Sequence, residues 1–137
     1  MIRHGVFVDT SAWGALADAG DQSHPAARAA YTRLRADSRR LVTTNHVVAE
    51  SYTLILRRGG HQAAQAFLQR IGSSGLTDRV FVVEQWEREA EALLRKFEDQ
   101  PFSYVDATSF VAMRRLGLRE AFAFDQHFST AGFALLS

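Results

Sequence analysis

Residues 5–13 read GVFVDTSAW, a short apolar run that ends directly on an acid, Asp9, and two hydroxyl residues. Runs of β-branched and aromatic residues that do not alternate with polar ones are typical of strands buried on both faces of a parallel sheet. Three further runs of this kind and a weaker fourth one follow, at residues 41–44, 80–83, 121–124 and 133–136. The sequence therefore predicts a parallel sheet of four or five strands.

Helical patterns occupy the segments between these runs. Pro25 stands near the start of one helix, where proline is tolerated, and Asn45 is predicted to cap another. The predicted helices cover residues 11–17, 24–36, 45–57, 61–71, 87–98 and 103–116. Alternation of strands and helices predicts an α/β fold, a three-layer α/β/α sandwich with right-handed crossovers.

Composition limits the size and the class of the protein. The 137 residues are 47% hydrophobic, which suits a single domain over residues 1–137 with a core of its own. The net charge of +1 is too small to hold a polyanion by bulk charge, so local groups or a bound metal would have to do so. The absence of cysteine excludes thiolate zinc sites and cysteine nucleophiles. With neither a signal peptide nor a membrane-length apolar run, we expect a soluble cytoplasmic protein without a membrane partner.

Two acids, Asp9 and Asp125, each follow an apolar strand directly. Ligands of an open parallel sheet bind beyond the carboxyl ends of its strands, so both carboxylates are expected at the edge that binds ligands. The alternative is that aspartate merely forms a turn or caps a helix at a strand end. Strand-end position alone does not separate these two interpretations.

Glu50 is predicted to lie on an apolar helix face, because helical spacing aligns it with Val47 and Leu54. Burial of an unpaired carboxylate is costly, so a cation, a salt bridge or a polar cavity is expected beside it. The alternative is a partly exposed glutamate at the edge of the stripe, paired with Arg57 or Arg58.

Asp106 also has two interpretations. Ser103-x-x-Asp106 matches a capping box at a helix start, which would explain the residue completely. The same helix aligns Asp106 with Phe110 and Met113. The carboxylate is therefore expected at the N-terminal end of the buried face, directed towards the edge of the sheet. A carboxylate that turns back to its own backbone is less free to bind a cation.

Other candidate groups are set aside. Glu84 begins a charged helix typical of a solvated face, and Asp99 lies in a turn. The histidines lack the spacing of a zinc site, and His127, two residues after Asp125, is interpreted as structural.

Four carboxylates without soft ligands predict one or two Mg²⁺ or Mn²⁺ ions, and without metal some of their pKa values should be raised. The predicted site comprises Asp9, Glu50, Asp106 and Asp125.

The ordered set of motifs is recognisable as a whole. The motifs are VFVDTSAW at 6–13, NHVVAES at 45–51, FSYVDATSF at 102–110, and AFAFDQHF at 121–128 followed by AGF at 131–133. In this order they resemble the PIN-domain nucleases, and among them the VapC-type toxins of prokaryotic toxin–antitoxin pairs.

This resemblance implies a parallel sheet in the order 3-2-1-4-5, with Glu84 beyond an edge strand. It also implies that the four acids bind the metal, and that Thr10 and Ser11 help to orient Asp9 or its water. The implied function is that of a metal-dependent endoribonuclease, the toxin of a type II pair, which hydrolyses RNA phosphodiesters with metal-activated water. The implied partners are RNA, a cognate antitoxin and a second copy in a homodimer.

Two other classes of protein stay open. A phosphatase or phosphotransfer domain could use Asp9. Haloacid-dehalogenase-like phosphatases, however, have a second aspartate at the position where this chain has Ser11. A receiver domain has a lysine after one of its last strands. The only lysine, Lys96, lies in a charged helix. A non-catalytic nucleic-acid-binding module could use the acids only for folding. The arginine pairs at 57–58 and 114–115 are candidates for RNA contacts or simply solvated residues.

Overall fold

The structure is a computed structural model that describes residues 4–136. Its strands are β1 (Gly5–Val8), β2 (Arg40–Thr44), β3 (Thr77–Val80), β4 (Glu120–Phe122) and β5 (Ala134–Leu136). Its helices are α1 (Thr10–Ala17), α2 (His24–Ala36), α3 (Asn45–Gly59), α4 (His61–Ser73), α5 (Glu84–Lys96), α6 (Tyr104–Leu116) and α7 (His127–Thr130).

The five strands form one sheet in the order β3-β2-β1-β4-β5, and every neighbouring pair is parallel. All four residues of the central strand β1 are buried, as its unbroken apolar run predicts. The α/β class and the strand order are confirmed. The carboxyl ends of β1 and β4 are therefore neighbours, which brings the segments after Val8 and Phe122 together.

The third strand lies earlier than predicted. Residues 77–80 pair with β2, whereas Phe81 and Val83 are each 52% exposed. The backbone N–H of Val82 donates to Oδ1 of Asn45 at 2.7 Å instead of to a neighbouring strand. The predicted strand at 80–83 was therefore wrong in position, because hydrophobicity does not show which residues pair at a sheet edge. Helix α5 accordingly begins at Glu84 rather than at residue 87.

The cap of α3 also differs from the prediction. The Thr44 hydroxyl accepts the hydrogen bond from Val47 N at 3.1 Å, so Thr44 caps the helix. Asn45 is the first helical residue, and its side chain holds the β3–α5 connection instead. Both polar residues at this strand end therefore have backbone partners.

A cluster of buried aromatic rings fixes the short helix α7, which the sequence did not predict. Phe128 is fully buried, with its ring centroid 5.1 Å from that of Phe110 and 6.0 Å from that of Phe7. This packing anchors α7 against β1 and α6 and so determines where the adjacent His127 lies. Within residues 4–136, none of the helices has the length and apolar character needed to cross a membrane.

Candidate metal centre

Asp9 joins the end of β1 to the start of α1. Its backbone N–H donates to Phe122 O at 3.1 Å, and its carbonyl accepts from the first turn of the helix. Its carboxylate accepts hydrogen bonds from the Ser11 backbone at 3.3 Å and the Ser11 hydroxyl at 2.9 Å, both at Oδ2. The residue is only 4% exposed. The carboxylate is thus buried, and Ser11 donates to it through both its backbone and its hydroxyl.

Burial raises the pKa of the Asp9 carboxyl from 3.8 to about 6. Hydrogen bonds from Ser11 and Thr10 act in the opposite direction, and the negative charge of Asp106 raises the pKa further. The negative charge of Asp106 therefore acts on the Asp9 carboxyl. A cation would favour the ionised form of both groups, which is the behaviour expected of a metal-binding pair.

Thr10 and Ser11 connect this corner to its neighbours. The Ser11 hydroxyl donates to Asp9 and accepts from Phe124 N at 2.9 Å, so it ties the carboxylate to the segment that follows β4. The Thr10 hydroxyl accepts from Ser51 at 3.2 Å, which ties α1 to α3. Ser11 therefore holds Asp9 directly, whereas Thr10 acts between two helices.

Asp106 caps its own helix, as the capping-box pattern predicts. Its backbone N–H donates to the Ser103 hydroxyl, and its Oδ2 accepts from Ser103 N, both at 2.9 Å. The same Oδ2 lies 2.7 Å from Nδ1 of His127. Among the described residues, Oδ1 makes no hydrogen bond. Capping therefore occupies one oxygen and leaves the other for a cation, so the two interpretations of this residue are compatible.

Asp125 and His127 complete a compact group with Asp106. Oδ1 of Asp125 accepts from His127 N at 2.8 Å and lies 3.4 Å from Nδ1 of the same histidine. One ligand atom from each of Asp106, Asp125 and His127 lies within 4.8 Å of the others, a spacing that can hold a metal ion. The interpretation of His127 as purely structural is thus incomplete. Its place two residues after Asp125 was the only signal in the sequence.

Glu50 lies in different surroundings from those predicted. It is exposed, and the buried residues of α3 are Val47, Val48, Ser51 and Ile55. The expectation that Glu50 lies on an apolar face was therefore wrong, because Ser51 occupies the buried stripe between Val47 and Ile55.

The expected alternative partner of Glu50 is also absent. Within residues 4–136, Glu50 makes no ion pair with Arg57 or Arg58, and Arg58 instead contacts Asp18 and Asp21. The structure therefore groups Asp106 and Asp125 with His127, links Asp9 to the neighbouring Phe124 through Ser11, and leaves Glu50 at the surface of α3.

The two arginine pairs lie at the C-terminal ends of their helices, away from the N-terminal ends that carry the acids. Arg114 is eight residues after Asp106, which corresponds to about 12 Å along α6. Arg115 is paired with Glu89, as Arg58 is with Asp21. Nothing in this placement directs either pair at the acids.

The sequence profile of the PIN-domain family matches residues 6–134 of this chain. The chain belongs to the PIN-domain family. This PIN domain is 43% identical over 129 residues to the 23S rRNA-specific endonuclease VapC20 of two Mycobacterium tuberculosis strains, CDC 1551 and H37Rv. The matches cover 93% of this chain and 95% of each relative.

A solved structure agrees with these sequence matches. The crystal structure of Mycobacterium tuberculosis VapC20, described as a toxin that cleaves the sarcin–ricin loop, has a TM-score of 0.85 and 42% identity to this chain. It covers 94% of this chain and 96% of its own. These comparisons confirm the resemblance to VapC-type toxins and the endoribonuclease function that it implied. PIN-domain nucleases generally depend on divalent metals, and this chain supplies an acidic cluster for one.

Proposed function

We propose that this chain is a toxin of a type II pair that hydrolyses 23S rRNA in the sarcin–ricin loop with a divalent ion. The proposed ligands are Asp9, Asp106, Asp125 and Glu50. The observation that carries the proposal is the group of Asp106, Asp125 and His127, whose ligand atoms lie within 4.8 Å of one another. The buried Asp9 is joined to this region through Ser11, which bonds both its carboxylate and the backbone of Phe124. The 43% identity to two endonucleases of that substrate supports the choice of RNA.

The donor set suits a hard cation. Asp9, Asp106 and Asp125 offer carboxylate oxygens and no sulfur, which favours Mg²⁺ or Mn²⁺, as one ion or two. When bound, such an ion supplies positive charge that stabilises the developing charge on the phosphate and makes water more acidic. Glu50 is exposed, and it is included in the proposed set because the family resemblance implies it.

The residues of the chain itself hold this donor set in place before an ion arrives. Ser11 orients Asp9, and the Ser103 backbone together with His127 fixes Oδ2 of Asp106. The backbone N–H of His127 fixes Oδ1 of Asp125. Ligands that are held by neighbouring donors lose little freedom on binding, so these contacts should strengthen ion binding.

The remaining parts of the proposal concern the molecule as a whole. We infer that residues 1–137 form one PIN-like nuclease domain, which the family match over residues 6–134 supports. The VapC-type relatives support a cognate antitoxin as partner. We infer a homodimer and a cytoplasmic location from the same VapC-type relatives.

Cleavage of ribosomes tests the proposal. Purified protein is incubated with 70S ribosomes in Mg²⁺, Mn²⁺ or EDTA, with Asp9→Asn and Asp106→Asn as test variants. The matched control is Asp99→Asn, an exposed acid outside the site. We expect one ion-dependent cut in 23S rRNA by the native protein and the control, and strong loss in both test variants.

Four results would contradict this proposal. Cleavage that persists in EDTA, or full activity of both test variants, would exclude the proposed metal centre. Hydrolysis of a phosphate monoester without RNA cleavage would favour the phosphatase alternative. RNA binding without any cleavage would favour the non-catalytic module.

A further inference from the structure

A groove between α1, α2 and α4 carries positive charge that the metal centre does not use. It has a volume of about 490 Å³, within the range of roughly 300–1,000 Å³ typical of ligand sites. Among the described residues, no carboxylate lines the groove. Basic and aromatic side chains dominate its lining: His24, Arg28, Tyr31, Arg35 and Arg70. In a chain with a net charge of only +1, this is a strongly asymmetric placement of charge.

The three arginines of the groove, unlike five others that the structure describes, form no ion pair. Five arginines elsewhere form ion pairs with acids: Arg39, Arg40, Arg58, Arg88 and Arg115. Between residues 4 and 136, no carboxylate lies within 4.0 Å of Arg28, Arg35 or Arg70. Their charge is therefore available to an anion from outside the chain.

An aromatic ring brings two of these cations together. The guanidinium carbons of Arg35 and Arg70 lie 5.8 and 5.4 Å from the ring centroid of Tyr31. They are therefore at most about 11 Å apart, each in cation–π range of one ring. Because like charges repel, this arrangement is stabilised most by a ligand that presents several negative groups.

The chemistry of the groove favours phosphates of RNA. Guanidinium groups match phosphate oxygens through paired hydrogen bonds, and arginines interleaved with aromatic rings are typical of nucleic-acid-binding surfaces. The groove lies away from the metal centre. Leu16, which lines it, is seven residues after Asp9 in the chain, about 10 Å along α1.

We propose that this groove binds backbone phosphates of the RNA stem next to the cleaved loop, several nucleotides from the scissile bond. The proposal rests on the proposed function, because it assumes a structured RNA whose loop reaches Asp9. It adds a second contact region of the opposite charge to the acidic centre. Phosphate contacts of this kind contribute affinity and orientation without reading sequence.

Equilibrium binding of RNA tests the groove. A fluorescent sarcin–ricin hairpin is titrated with native protein and with Arg28→Gln, Arg35→Gln and Arg70→Gln in EDTA, where metal-dependent cleavage stops, at several KCl concentrations. The matched control is Arg33→Gln, an exposed arginine of the same helix α2 that does not line the groove. Circular dichroism checks that each variant is folded.

We expect each groove variant to weaken binding about 3- to 10-fold and to reduce the slope of log K against log[KCl] by about 0.7–0.9. The control should keep the native affinity and slope, and Arg35→Lys should restore the slope because it keeps the charge. Equal slopes in the groove variants and Arg33→Gln would overturn the proposal. So would groove variants that bind RNA normally and lose only the binding of an antitoxin.

Failure of this proposal is distinguishable from failure of the proposed function. Native cleavage in Mg²⁺ together with unchanged salt slopes in the groove variants would overturn the groove alone. Absence of cleavage by the native protein would overturn the function, while a reduced slope in the same titration would still support RNA binding in the groove.

Discussion

Asp9 and Glu50 come from the same sequence-based prediction of a metal site, yet they lie in opposite surroundings. Asp9 is 4% exposed and held by Ser11, whereas Glu50 is exposed and has no polar partner among the described residues. Pairing on both sides of a central strand fixes the position of the residue at its end. A helix can rotate about its axis, so the face that it buries depends on packing that a stripe of apolar residues does not determine.

The α6–α7 side of the site shows the same constraint as Asp9. Asp106 is fixed by its capping box and by His127, and α7 is fixed by the buried ring of Phe128. The buried side should therefore respond strongly to substitution and the α3 side weakly.

Asp106→Asn should give the largest change. The variant keeps a side chain of the same shape that can still accept from Ser103 N, but it loses the charge offered to the ion. We expect RNA cleavage to fall at least about 100-fold with little change in melting temperature. Ser103→Ala is the complementary variant, because it should cost about 1 kcal/mol through the lost cap while it retains most of the activity. Cleavage rates and thermal denaturation of both variants check this, and comparable loss of activity in both would mean that Asp106 only caps the helix.

Asp9→Asn should stabilise the metal-free protein above pH 6. The pKa of Asp9 is raised from 3.8 to about 6 in the folded state, so the folded protein holds more protons than the unfolded chain between these values. The free energy of unfolding therefore falls as the pH rises through this window, by up to about 3 kcal/mol from this group.

Denaturant unfolding in EDTA at pH 4.5 and 7.5 measures this effect. Native protein should lose stability between the two values relative to Asp9→Asn, and Mg²⁺ should restore it in native protein only. A pH dependence that is the same in both proteins would contradict the buried, raised-pKa carboxyl.

His127→Ala should weaken ion binding through Asp106. The imidazole holds Oδ2 of Asp106 at 2.7 Å, and removal of such a supporting contact typically costs 10- to 100-fold in metal affinity or activity. His127→Asn, which keeps a polar nitrogen near this position, should recover part of the loss. The apparent Mg²⁺ affinity, read from the ion dependence of cleavage, checks this. An unchanged affinity in His127→Ala would show that the histidine does not support ion binding.

Glu50→Gln should give the smallest change in stability, within about 0.5 kcal/mol in metal-free buffer, because its carboxylate is exposed. Glu84→Gln, an exposed acid outside the site, is the matched control. Thermal denaturation in EDTA compares the two. A marked gain in stability for Glu50→Gln alone would reveal repulsion from the other acids and place Glu50 closer to them than its exposure indicates.

The parts of the fold that the sequence predicted are those that burial alone decides. The strand at residues 5–8 is uniformly apolar and fully buried, and it was located correctly. The strand before α5 was misplaced because Phe81 and Val83 are apolar yet exposed after the edge strand. Pairing with β2, which hydrophobicity does not encode, decided that boundary.

The site divides in the same way. Asp9 and Asp125 could be expected at the sheet edge because each comes after a buried strand, although β4 ends at Phe122 rather than at the predicted residue 124. The compatibility of capping with ion binding at Asp106 depends on which oxygen the cap uses, and the contribution of His127 depends on the fold of α7. Both are properties of side-chain geometry across segments distant in sequence, so neither was accessible from spacing.

The central claim is that the buried acids, rather than the exposed one, form the core of a divalent-metal centre. Isothermal titration calorimetry of Mn²⁺ binding to native protein and Asp106→Asn tests it most directly, with Glu84→Gln as control. We expect the control to bind as native protein does and Asp106→Asn to bind at least about 10-fold more weakly. Equal Mn²⁺ affinity in native protein and Asp106→Asn would contradict the account.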